Sequence, residues 1–185
     1  SNARVLFLRT IFETLRQSEV EDVESFVYLQ SEIASILVTS ETEKEGKEIL
    51  LECKSKIEAL EGLDGSVYSL FYCAQMEHDH TFGTFSEYYR TALLYLAYTN
   101  IDQIEISEQR RIAFSVGIAA LLAEDVYNFG ELLMHPAVES LRKTRNEWLL
   151  DLLLAFHRGD LAVYERVIVK EAESMQDVPI LLQNV

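Results

Sequence analysis

The four histidines and two cysteines are the residues best equipped for chemistry, and their spacing decides which chemistry is open to each. His78 and His80 stand in the run Glu77-His78-Asp79-His80, four metal-ligand types in a row. A helix brings two imidazoles onto one ion at i, i+4 spacing, whereas i, i+2 sends them to different faces. The run therefore reads as a solvated helix end, with no metal. His135 precedes Pro136 in the stretch "YNFGELLMHPAVESL", Tyr127 to Leu141. A general base there needs a nucleophile or an orienting carboxylate, and the neighbourhood offers only Glu131. The residue before proline is pushed out of helical geometry and proline suits the first helical position, so His135 reads as a corner residue. His157 and Arg158 complement a helix C-terminus, with Gly159 in a left-handed cap and Asp160 starting the next helix. Cys53 and Cys73 are too few for a disulfide framework and lack CxxC spacing, so both read as thiols of a reducing compartment.

No phosphate-cradling glycine loop, dinucleotide fingerprint or nucleophile elbow occurs, and no pair of carboxylates stands out from the acidic background. The expectation is a protein that is not an enzyme, with no catalytic, cofactor-binding or metal-binding residue and no small-molecule substrate. With 16 Lys and Arg against 31 Asp and Glu, the net charge is −15. Both halves are acidic, which argues against nucleic-acid binding. The short basic cluster Arg142, Lys143 and Arg145 reads as solvated surface. The longest apolar run, Trp148 to Phe156, is broken by Asp151, so no membrane span is expected. Location in cytoplasm and nucleus follows as the expectation.

A chain of 185 residues that is 49% hydrophobic, with 7 glycines and 2 prolines, has the composition of a folded helical protein. Apolar residues recur at helical spacing over nearly its whole length. The pattern predicts helices over 4–17, 19–38, 41–61, 66–79, 85–99, 108–123, a broken pair over 129–142, then 145–157 and 161–174. Gly62 to Gly65, His80 to Thr84 and Asn100 to Glu105 are the turns. Four capping boxes stand before apolar runs: Ser18 with Glu21, Ser40 with Glu43, Thr84 with Glu87, and Thr144 with Glu147. Period-two alternation is absent, so the class is all-α, built of stacked antiparallel helix hairpins as a closed bundle or an α-solenoid. Ser1-Asn2-Ala3 reads as the remnant of a cleaved expression tag, and the natural chain is expected to continue in both directions.

Two seams stand out. Ala113, Gly117 and Ala120 form a smooth stripe against which another helix can press, and a helix-interior glycine costs about 1 kcal/mol unless packing compensates. Tyr88, Ala92, Tyr95 and Leu96 combine aromatic and small residues in the manner of tetratricopeptide-like repeats. Trp148, Leu149, Leu152, Leu153 and Phe156 make a broad apolar face of core type.

The stretch "ISEQRRIAFSVGIAALLAEDVYNFGELLMHP", followed by "NEWLLDLLLAFHRGDLAVYERV", resembles the non-ATPase subunit 13 family of the 26S proteasome regulatory particle. The glycine, the His-Pro pair and the tryptophan fall together, and the match is dense over residues 85–165 and looser over 4–84. The resemblance implies a PCI-type lid subunit: tetratricopeptide-like helical repeats over 4–100, then the helical-bundle part of a PCI domain over 101–185, with the winged helix absent from this chain. It implies a non-catalytic scaffold whose partners are other proteasome lid subunits and which supports ubiquitin-dependent degradation. On this view Phe129, Gly130, Leu133, His135 and Pro136 form a structural corner, with Phe129 and Leu132 to Met134 as buried anchors. Ala113, Gly117, Ala120 and Trp148 serve helix packing. The alternatives are a helical-repeat adaptor, or a PCI subunit of a signalosome or translation-initiation complex.

Overall fold

The computed structural model describes residues 2–17, 22–38, 42–59 and 62–170. Among the described residues ten α-helices follow one another: α1 Asn2–Gln17, α2 Val23–Ile36, α3 Glu43–Glu58, α4 Gly65–Phe82, α5 Phe85–Tyr98, α6 Ile106–Leu122, α7 Gly130–Met134, α8 Pro136–Glu139, α9 Glu147–Arg158 and α10 Leu161–Lys170. A short 3-10 turn, Ile101–Gln103, lies between α5 and α6. No strand occurs among the described residues, and the all-α class read from periodicity holds.

The chain divides into two compact units. The first comprises residues 1–83 with 97–99, the second residues 84–96 with 100–185. In the first, α2 is the central helix and packs against α1, α3 and α4. Its Val27 and Ala34 meet Leu50, Cys53 and Ile57 of α3 and Val67, Phe71 and Ala74 of α4 in one buried cluster. A smaller cluster joins Val5 of α1 to Ile33 and Leu37. Each fully buried aliphatic or aromatic side chain here contributes about 1.5–3 kcal/mol. The helix ends are fixed by short acids. Asp22 accepts from the Glu24 amide at 3.1 Å, and Asp64 from the Ser66 amide at 2.8 Å. Each satisfies an amide that the first turn leaves open. In the same unit Tyr98 stacks on both Tyr68 and Tyr72, with ring centroids 4.7 and 5.6 Å apart. Ser69 and Thr99 share a 2.7 Å hydrogen bond beside them.

In the second unit α6 packs against α8 and α9, α7 against α8 and α9, and α9 against α10. Tyr88, Ala92, Tyr95 and Leu96 of α5 are all buried. The Thr84 box at the start of α5 is complete. The Thr84 amide donates to Glu87 Oε2 at 2.8 Å, and the Glu87 amide donates to Thr84 Oγ1 at 3.2 Å.

Several local expectations need correction. The turn expected at His80 to Thr84 begins later, because α4 runs on to Phe82 and closes on Gly83, whose amide donates to the Asp79 carbonyl at 2.8 Å. His78 and Asp79 are consequently buried, not a solvated end, while His80 on the opposite side is exposed. At α3 the cap is Thr42 and Glu43 is already the first helical residue; Ser40 lies outside the described residues, as does the Ser18 box. The Thr144 box is shifted. Glu147 accepts from the Lys143 amide and Thr144 from the Asn146 amide, because Lys143 takes positive φ and turns the chain one residue early. The last residues of the helix expected over 161–174 also lie outside the described residues.

Candidate functional site

The corner expected from the His-Pro pair begins where α6 stops. Ala123 leaves the helix in extended geometry while its amide still reaches the Ala119 carbonyl at 2.9 Å. The loop that follows is pinned by Asp125, which takes hydrogen bonds from Ser86 and Arg90 of α5; these hold its carboxyl below the usual carboxylate range, Ser86 most strongly. Asn128 then accepts from the Gly130 amide at 2.9 Å, an Asx turn that feeds the chain into α7.

Within α7 the side chains divide by angle. Phe129 is 6% exposed and packs edge-on against Phe156 of α9, and Leu132, three residues on, is fully buried. Leu133 is half-buried. Met134 is 86% exposed, so its expected role as a buried anchor is wrong. Two residues beyond Leu132 on a helix is about 200° of rotation, which turns Met134 to solvent. Gly130 lies close to its surroundings: a β-carbon there would stand 3.1 Å from Asn128 Oδ1 and 3.4 Å from the His157 ring.

His135 has φ −78° and ψ 133°, the extended geometry demanded by Pro136, which is the first residue of α8. Its imidazole caps that helix. Nδ1 accepts from the Ala137 amide at 3.2 Å, and the Leu96 backbone of α5 lies close to the ring. Burial pushes the His135 pKa down, while the Leu96 carbonyl acts in the opposite sense. The ring's lone pair is therefore committed to the main chain. A general base must keep a lone pair free for substrate, and this one does not.

The corner is seated on the α6–α9 seam. Ala113, Gly117 and Ala120 are buried on α6. A β-carbon on Gly117 would lie 2.8 Å from Leu149 Cδ2 and 3.3 Å from Leu153 Cδ1. Trp148 is 4% exposed and meets Phe114 edge-on at 6.3 Å. Phe156, expected in the core stripe, is 49% exposed and bridges Phe129 and Tyr164. Leu150, absent from that stripe, is buried. It shows that α9 is covered on more than one side. Beyond α8, Leu141 is fully buried and the Arg110 guanidinium donates to the Ser140 carbonyl at 3.2 Å. These contacts link residues about 30 positions apart and leave no local signal.

The remaining candidates for chemistry are dispersed. Cys53 is fully buried, and burial pushes its thiol up to about 12. Cys73 is half-buried. Among the described residues no three His, Cys, Asp or Glu side chains gather into a metal-binding group. Within the basic cluster, Arg142 pairs with Glu139. No helix among the described residues is long and apolar enough to cross a membrane.

Residues 1–153 match the family model described as PSD13 N-terminal repeats. The chain belongs to the PSD13 family. Two curated relatives, 26S proteasome non-ATPase regulatory subunit 13 homologs A and B of Arabidopsis thaliana, are each 37% identical over 183 residues, covering 98% of this chain and 47% of theirs. The 26S proteasome non-ATPase regulatory subunit 13 of Dictyostelium discoideum is 30% identical over 179 residues, 95% of this chain and 46% of its own length. The chain spans about half the length of the curated relatives it matches. The corner and most of the α6–α9 seam fall inside the PSD13 match, which ends at Leu153 on α9.

Proposed function

We propose that this chain is a non-catalytic scaffold segment of the 26S proteasome regulatory particle lid, holding other lid subunits in place for ubiquitin-dependent degradation in cytoplasm and nucleus. Membership of a family whose relatives are named as non-ATPase regulatory subunits carries the proposal. The physical chemistry agrees with it. The best-placed histidine commits its lone pair at Nδ1 to capping a helix, and the buried thiol is held far from its reactive form.

In this reading residues 4–100 are tetratricopeptide-like repeats and 101–185 are the helical part of a PCI domain. Phe129, Gly130, Leu133, His135 and Pro136 form the structural corner, and Ala113, Gly117, Ala120 and Trp148 make the seam that keeps it rigid. Neither nucleic acid nor a small-molecule substrate is a partner, in keeping with the net charge of −15. Affinity purification from lysate tests the proposal. A chain extended to the length of its relatives should recover proteasome lid subunits, and residues 1–185 alone should recover them weakly. Recovery of unrelated proteins by both would overturn it in favour of a freestanding adaptor.

A further inference from the structure

We propose that His135 is a proton-operated latch on the α7–α8 corner, closed while Nδ1 accepts from the Ala137 amide and opened when that nitrogen takes a proton from solvent. The geometry carries the inference. An imidazole that accepts at Nδ1 from a backbone amide is neutral, with its single proton on the other nitrogen. Adding a proton at Nδ1 makes that nitrogen a donor, and two donors then face each other across the cap. The Ala137 amide loses its acceptor at the first turn of α8. The ring lets go of α8.

Neighbouring charges leave the ring alone. Glu131 on α7 acts on Tyr89 of α5, Arg90 of α5 is held by Asp125, and Glu139 of α8 pairs with Arg142. On α6, Arg110 bonds the Ser140 carbonyl and Arg111 pairs with Glu108. On α9, Glu147 accepts from the Lys143 amide, and the His157 ring lies against Gly130. No carboxylate among these stabilises an imidazolium at position 135, so burial governs its titration and resists protonation until the medium is acidic.

The test uses the intact chain and His135→Asn, whose side-chain oxygen caps a helix at any pH. Amide hydrogen exchange at Ala137, corrected for intrinsic rate, is followed from pH 7.5 to 5.0, and the imidazole tautomer is read by nitrogen NMR at pH 7.5. The latch predicts a proton off Nδ1 at pH 7.5 and an acid-induced loss of Ala137 protection of about fivefold, the ratio expected for losing one helix cap. In His135→Asn the protection should not change with pH. A proton on Nδ1 at neutral pH would overturn the proposal. So would unchanged protection in the unsubstituted chain, or an equal loss in both proteins.

Discussion

Gly117 of α6 faces Leu149 of α9 so closely that a β-carbon on the glycine would stand 2.8 Å from the leucine's Cδ2 and 3.2 Å from its Cγ. Leu149 is itself fully buried and cannot swing into solvent. Gly117→Ala gains about 1 kcal/mol of helix propensity and pays about 1–3 kcal/mol for overpacking. The expected result is a net loss of stability in urea denaturation. Combined with Leu149→Ala the same glycine substitution should become stabilising, because the obstructing methyl group is gone. A full gain of about 1 kcal/mol from Gly117→Ala alone would show that the seam is loose.

Phe129 and Met134 should respond oppositely to substitution although they lie only five residues apart at the same corner. Phe129→Ala removes a buried ring from the face of α9 and should cost about 3 kcal/mol. Met134→Lys places a charge where the side chain is already 86% exposed and should stay within about 0.5 kcal/mol of the parent. Thermal and chemical denaturation of the two variants separate them.

The two thiols should react at very different rates. Cys53 is fully buried with its pKa pushed up to about 12, so little thiolate exists at neutral pH and none of it meets solvent. Alkylation under native conditions should modify Cys73 first, with Cys53 labelled only on unfolding. Equal labelling, read by peptide mass spectrometry, would mean that the α2–α3 core opens readily.

Acid should act on stability in two separate windows. His135 has a folded pKa below its unfolded value, so its contribution is complete above about pH 6.5 and falls as pH drops through that value. Asp125, Glu108 and Glu139 also have depressed folded pKa values, each set first by a hydrogen bond from Ser86, Arg111 or Arg142 respectively. Their contributions persist above about pH 4.5 and fade below it. Denaturation midpoints measured across pH should show both declines, and His135→Asn should remove the share of the first decline that His135 supplies.

Gly159 adopts φ 67° at the end of α9 while its amide and that of Asp160 close the last turn. Gly159→Ala should cost about 1 kcal/mol, since the left-handed region strains any side chain with a β-carbon. Asp160→Ala should add a further loss by removing the acceptor of the Val163 amide.

Helix order was legible in the sequence because apolar periodicity and end signals are local. Thr84 and Glu87 carry their own cap, and the glycine before Asp160 announces a left-handed stop. The proline after His135 likewise marks the break between α7 and α8. What escaped the sequence depends on contacts between distant segments. Nothing near His135 points to the Leu96 carbonyl, and nothing near Tyr68 points to Tyr98. Met134 and Phe156 are exposed for a related reason: apolar residues at a helix edge read as core until the neighbouring helix is placed. His78 and Asp79 depart in the opposite direction: a charged run reads locally as an exposed end, and only the extra turn of α4 buries it.

The most direct measurement replaces the natural protein in cells with a chain of the relatives' full length carrying Leu149→Ala and Leu153→Ala, and follows degradation of a ubiquitinated reporter alongside lid composition. The scaffold account predicts that breaking the α6–α9 seam depletes lid subunits from purified regulatory particles and slows reporter turnover, while peptide hydrolysis by the core particle is unchanged. A lid of normal composition with normal reporter turnover, despite a chain shown to be destabilised, would contradict it.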